Sequence, residues 1–207
     1  MNKSSYKRRY RSAIREAAAG ENRVQVLAAA IKLLRTANPS AMSMEAVAKA
    51  AGVTRLTVYN QFGSRGGLLE AVFDELAREG GLARIPEAMA LPDPRSALDR
   101  LIEIFCDFWA FDPAVDRLNQ TAFTETEFAA ALAARHERRR KALSVVLQRL
   151  AQDGYIAQDN SEVATDVLFA LTSPDFFRML STRQRKEPAI RTLMLRLCRT
   201  ALKEFQS

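Results

Sequence analysis

The residues with the most chemistry to offer lie in one short run, Thr54-Arg55-Leu56-Thr57-Val58-Tyr59-Asn60-Gln61-Phe62. Read as a helix at about 100° per residue, Val58 and Phe62 fall within about 40° of each other, and Leu56, Tyr59 and Asn60 fall on the opposite side. A leucine, a tyrosine and an asparagine turned together toward solvent have a use in nucleic-acid chemistry. Leu56 suits a thymine methyl, Asn60 an adenine edge and Tyr59 a phosphate oxygen. Arg55 and Thr57 stand near the helix end that would enter a major groove, with Arg55 suited to guanine. Packing between helices is the other use for Tyr59, and a tyrosine can serve both.

No other cluster suggests chemistry. His136 is the sole histidine, and it opens a run with Glu137, Arg138, Arg139, Arg140 and Lys141 that reads as a solvated helix face. Cys106 and Cys198 lie in apolar stretches, far from any ligand partner at metal spacing, and read as reduced packing residues. No Ser, Cys or carboxylate falls at the spacing of a nucleophile or an acid/base pair, so neither an enzyme nor a metal or cofactor is expected. No apolar run approaches the roughly 18 residues that span a bilayer, and the basic N-terminus lacks an apolar signal segment. A cytoplasmic protein with no membrane partner is expected.

Charge points the same way as the Arg55 to Asn60 face. Residues 1–66 hold 12 Lys and Arg against 3 Asp and Glu, and the remainder holds 19 against 21, so the formal charge of +7 divides into +9 and −2. A polyanion would meet the N-terminal end first, and the bland alternative is a solvated basic tail. Residues 1–20 form a basic arm in which Lys7, Arg8, Arg9 and Arg11 could take minor-groove or backbone contacts.

The elements that must position these residues are all helical. Runs of period-two alternation are missing, glycines concentrate between Gly52 and Gly81, and a 48% apolar fraction over 207 residues can fill a real core. Val24, Leu27, Ala28, Ile31 and Leu34 predict a first helix over 23–36, ended by Asn38 and Pro39. Ser43 caps a second helix closed by Gly52, Thr54 caps a third ending near Phe62, and Ser64 after Gly63 caps a fourth to about Arg78. A loop rich in Gly and Pro spans 80–94. Helices are then expected at 95–111, 114–121, 125–152, 161–181 and 189–205, about nine in all, with Pro174 interrupting the fourth of these.

The stretch AGVTRLTVYNQFGSRGGLLEAV, residues 51–72, preceded by MSMEAVAKA, residues 42–50, resembles the tetracycline-repressor (TetR) family. Its Gly-Val turn, the Tyr three residues before a Phe, and the Phe-Gly-Ser-basic step make a longer and more specific pattern than a bare helix-turn-helix. The resemblance implies an all-α protein. Residues 21–66 would form a three-helix helix-turn-helix DNA-binding domain, and residues 67–207 a helical ligand-binding and dimerisation domain. It implies groove-facing Arg55, Leu56, Thr57, Tyr59, Asn60 and Gln61, the helix caps Ser43 and Thr54 at the DNA surface, and Arg65 as a phosphate clamp. The sequence departs from the family pattern at Arg65, usually Lys, at Gln61, often His, and at Gly66-Gly67. The glycine pair weakens the first turn of the fourth helix by about 1 kcal/mol per residue and implies a looser hinge.

The C-terminal half resembles the family less specifically. Phe105, Phe108, Trp109, Phe123, Phe128 and Leu132 are expected to line an apolar cavity, and plain core packing is the alternative for each. Val167, Leu171, Phe176, Phe177, Leu193, Leu197 and Ala201 are expected at a four-helix dimer interface. The expected partners are a palindromic double-stranded DNA operator, a second copy of the chain and a small-molecule effector that releases the dimer from its operator, so that the protein represses transcription. Two rivals are a helical enzyme or interaction module that binds acidic protein, and a DNA-organising protein without a ligand.

Overall fold

The computed structural model describes residues 3–36, 42–182 and 184–206, with side chains from residue 19 onward. Among these residues there are eleven α-helices and no strand. They divide into two compact units, Met1–Val72 and Phe73–Ser207. The division falls inside the fourth helix, six residues beyond the sequence-based boundary between residues 66 and 67.

In the first unit, α1 (Lys3–Arg35) packs on α2 (Met44–Ala51), and α2 on α3 (Arg55–Phe62). Helix α1 is longer than the apolar periodicity alone predicts, because the basic arm continues it as one helix back to Lys3. The expected contacts of Lys7, Arg8, Arg9 and Arg11 concern side chains that lie outside the described residues. The apolar stripe of α1 buries Val26, Leu27, Ala30, Ile31 and Leu34, while α2 buries Val47 and Ala48, and α3 buries Val58 and Phe62. Helices of eight residues such as α2 and α3 are too short to persist alone, so this shared core and their caps hold them.

The caps are those expected from sequence. Ser43 Oγ accepts from Ala46 N–H at 3.1 Å, and Thr54 Oγ1 accepts from Thr57 N–H at 3.1 Å. Gly52 (φ 69°) closes α2, its N–H directed to the Ala48 and Lys49 carbonyls. Gly63 departs from a simple left-handed exit. Its φ of 75° and ψ of −50° make a tight γ-turn in which Ser64 N–H donates to the Phe62 carbonyl at 2.8 Å. Ser64 then caps α4 (Arg65–Glu79), accepting from Gly67 N–H at 2.9 Å.

The tight turn explains one of the two glycines that follow. A Cβ on Gly67 would lie 2.2 Å from the Phe62 carbonyl oxygen, so α4 can start this close to the end of α3 only with glycine there. The missing side chain at that position permits close packing.

The second unit centres on α6 (Pro94–Phe111), which packs against α5 (Ile85–Met89), α7 (Pro113–Thr121), α8 (Thr126–Gln152), α10 (Pro174–Leu180) and α11 (Ala189–Lys203). Asp93 and Asp112 cap α6 and α7, each followed by a proline in the first helical turn. Helix α9 (Ser161–Leu171) packs on α8 and α11. The helix expected over 161–181 with an interruption at Pro174 is two helices, since Ser173 starts a new one by accepting from Phe176 N–H at 3.1 Å ahead of Pro174. The expected loop at 80–94 contains α5 and a short 3-10 turn over Leu82–Arg84. Among the described residues no helix is long and apolar enough to cross a membrane.

Candidate nucleic-acid interface

Helix α3 enters the core through Val58 and Phe62 and leaves the rest of its circumference open. Leu56 is 68% exposed and Tyr59 37%, with Arg55 and Asn60 also exposed and Thr57 half-buried. Arg55 Nη2 donates to Tyr59 Oη at 3.3 Å, and the guanidinium lies 5.3 Å from the centre of the Tyr59 ring. That hydrogen bond favours the charged form of Arg55 and raises its pKa further. The pair lies one turn apart on this face. Thr54 and Thr57 are linked through their hydroxyls at 2.8 Å at the N-terminal end of the same helix.

Two residues expected at this surface do other work. Gln61 is half-buried and its Nε2 donates to the Ala19 carbonyl at 2.9 Å, while its Oε1 is buried without a partner, so it ties α3 to α1 and faces away from a groove. Arg65 is half-buried and its Nε donates to the Met42 carbonyl at 3.0 Å, which braces the start of α4 against the residue before the α2 cap. Beneath the face, the Arg23 guanidinium stacks 4.8 Å from the centre of the Phe62 ring. The open set is therefore Arg55, Leu56, Tyr59 and Asn60, flanked by the caps Ser43 and Thr54.

The second unit carries a cavity of about 280 Å³, partly open to solvent, lined by Phe73, Asp74, Ala77, Leu82, Ile85, Phe105, Trp109, Arg135, His136, Arg138 and Arg139. Of the six residues expected to line a cavity, Phe105 and Trp109 do so. Phe108 is buried between Phe73 (5.7 Å, edge-on) and Trp109 (4.9 Å) as core, and Phe128 and Leu132 are core as well. Phe123 is 85% exposed, because α7 ends before it and the chain turns outward there. At the expected dimer surface Phe177 is buried within its own subunit, beside Trp109, Val115 and Pro174, and so is not available to a partner. Val167, Leu171, Phe176, Leu193, Leu197 and Ala201 are half-buried on α9, α10 and α11.

Sequence reasoning missed the two residues that give this cavity its character. Arg139 and His136 are not part of a solvated face. Arg139 is 7% exposed, its Nη1 donates to the Phe169 carbonyl at 3.0 Å and to Thr172 Oγ1 at 2.6 Å, and its guanidinium lies 4.0 Å from the centre of the Phe169 ring. Burial alone pulls it down to about 9, which leaves it charged at neutral pH. Burial, and next the nearby Arg139 charge, lower His136 to about 4, so it is neutral there. The signal was available. Phe128, Leu132, Leu143, Val146 and Leu150 mark the buried stripe of α8, and Arg139 falls in register with it, four residues before Leu143.

No group of three or more His, Cys, Asp or Glu residues among those described could hold a metal ion. Cys106 and Cys198 are buried, burial pushing Cys198 up to about 12 and Cys106 higher still, and Cys106 Sγ lies 3.4 Å from Met194 Sδ.

Comparison with known proteins fits this geometry. The family model described as bacterial regulatory proteins, tetR family, matches residues 26–72. The HTH-type transcriptional regulator EthR of Mycolicibacterium smegmatis is 34% identical over 99 residues, which are 47% of this chain and 45% of that protein, so the match spans less than half of that relative. Solved structures share the fold over most of the chain. A TetR transcription regulator from Haloarcula marismortui superposes with a TM-score of 0.72 at 16% identity, covering 91% of this chain and 100% of the other. The fatty acid degradation regulator FadR from Bacillus halodurans gives 0.68 at 18% identity, covering 87% and 94%. PfmR from Thermus thermophilus gives 0.66 at 20%, covering 86% and 97%. The helix-turn-helix with its open polar face thus lies in the segment that matches the tetR family of bacterial regulatory proteins, and the all-helical fold behind it is the one that these solved structures share.

Proposed function

We propose that the protein is a DNA-binding transcription regulator that acts as a homodimer on palindromic half-sites, and that a small molecule held in the C-terminal unit releases it from its operator. The observation that carries this reading is the open face of α3, where Arg55, Leu56, Tyr59 and Asn60 present groups suited to base edges and phosphates while Val58 and Phe62 hold the helix from behind. Residues 1–20 act as a basic arm, 21–66 read the DNA, and 67–207 sense the effector and dimerise. One helix-turn-helix binds weakly alone, and two recognition helices must reach successive major grooves about 34 Å apart, which calls for a two-fold dimer. The half-buried apolar residues of α9 and α11, Val167, Leu171, Leu193, Leu197 and Ala201, are suited to that contact.

Release is a population shift: the effector acts only through its preference for the state that does not bind the operator. Phe73, Asp74 and Ala77 line the cavity from the later turns of α4, and Arg65 and Gly67 lie in the first turn of the same helix, so α4 is the covalent route from cavity to reading head. The test is selection of bound sites from a random DNA library, followed by footprinting on the recovered sequence. A protected pair of inverted half-sites is expected. The Arg55→Ala, Tyr59→Ala double variant should stay folded and lose that protection, and equal affinity for random DNA would overturn the reading.

A further inference from the structure

The cavity of the second unit contains a charge that the protein itself does not neutralise. Arg139 is buried, and its Nη1 hydrogen bonds go to a carbonyl and a hydroxyl. No carboxylate among the described residues pairs with it, and its Nε is buried with no hydrogen-bond partner. Its neighbours Arg135 and Arg140 do have carboxylate partners, Asp74 at 2.8 Å and Asp166 respectively. Among the lining residues Arg135, Arg138 and Arg139 face a single acid, Asp74, and His136 is neutral at pH 7. A buried cation without a counter-ion is costly to a fold, and hydrogen bonds to the end of α9 offset only part of that cost.

We infer that the effector is a small amphipathic acid whose carboxylate pairs with the Arg139 guanidinium while its apolar body lies against Phe105, Trp109, Ile85 and Leu82. The inference rests on the reading of the second unit as a sensor and adds the chemical class of what it senses. A carboxylate supplies the missing charge and a charge-assisted hydrogen bond, which an alcohol or amide cannot match. Phe73, Leu82, Ile85, Phe105 and Trp109 make the remaining wall largely apolar. About 280 Å³ is just below the range of ligand cavities, which run from about 300 to 1,000 Å³, so the acid is short-chain or carries one aromatic ring.

Trp109 is the only tryptophan in the chain and lines the cavity, so its fluorescence reports binding there directly. Full-length protein is titrated with phenylacetate and octanoate, and in parallel with phenylacetamide and octanamide, neutral compounds of nearly the same shape. Each acid should change Trp109 emission saturably and bind at least about tenfold more tightly than its amide. Arg139→Lys should keep part of that preference, and Arg139→Gln should abolish it. Far-UV circular dichroism checks the folding of both variants, and the acid-to-amide comparison on the natural protein decides the matter if they do not fold. Amides that bind as well as the acids, or acids that leave Trp109 unaffected up to millimolar concentration, overturn the inference. Footprinting without any acid is run on the same samples. Specific DNA protection with no acid preference leaves the regulator standing and removes the acid, and the reverse result removes the operator reading alone.

Discussion

Arg55 and Tyr59 show how a side chain can be ordered in advance of its partner. Their hydrogen bond and ring contact hold the long Arg55 side chain against Tyr59 on the open face, so less freedom would be lost on binding the proposed DNA. Arg55→Ala should cost about 1–3 kcal/mol of specific binding and relax discrimination mainly at one base pair, measured by competition between operator variants. His136 makes a separate case. Its lowered pKa, about 4 against an ordinary 6.5, means that the folded protein binds fewer protons than the unfolded chain between those values. Stability should therefore fall as pH drops from about 6.5 through 4. Thermal melts of the natural protein and of His136→Gln should diverge in that window, with the variant losing less.

Gly67 completes the residue scale. Alanine is the better helix former by about 1 kcal/mol, yet its Cβ would meet the Phe62 carbonyl oxygen at 2.2 Å. Gly67→Ala should lower the urea midpoint, against the direction of helix propensity. A midpoint equal to or above that of the natural protein would show that α4 can shift away from Phe62 without cost.

At the scale of elements, α3 is an eight-residue helix that depends on its ends. Thr54→Ala removes the bond to Thr57 N–H and the hydroxyl contact with Thr57, and should cost about 1 kcal/mol in urea unfolding with an unchanged m-value. Such caps were legible in the sequence because a cap is a local event in which one hydroxyl meets one nearby N–H. The start of α1 was not, since a helix rich in Lys and Arg carries no apolar stripe to mark it. Gln61 shows a different failure. At 100° per residue it lies about 60° from Val58, on the flank of the buried side, and the residue pattern of relatives favoured the groove over that angle. Arg139 was obscured by its charged neighbours, although its spacing to Leu143 and Leu132 follows the buried stripe of α8. Phe123 misled because an aromatic residue suggests a wall, and nothing local reveals that the chain turns outward after α7.

Across the whole molecule, the positive charge is concentrated at one end of the chain. With +9 on residues 1–66 and −2 beyond, the affinity of the proposed dimer for DNA should fall steeply with salt, and log K against log [salt] should be linear. Half-site discrimination should persist across that range, because base contacts release few ions. Leu197→Glu, on the half-buried face of α11, should give a monomer in sedimentation and abolish operator protection while helicity remains. The fold class was legible because helical periodicity and the absence of alternation extend over the whole chain. The placement of the cavity was not, because it depends on which turns of α4, α6 and α8 meet.

The exposed positions on α3 have one more consequence. Arg55, Leu56 and Asn60 are exposed, and the helix is anchored through Val58, Phe62 and the Gln61 amide on α1. In the proposed regulator the letters that are read would thus be separable from the frame that holds them. A library randomised at those three positions should yield stably folded molecules with altered target sequences, so a new address can be written without rebuilding the reader.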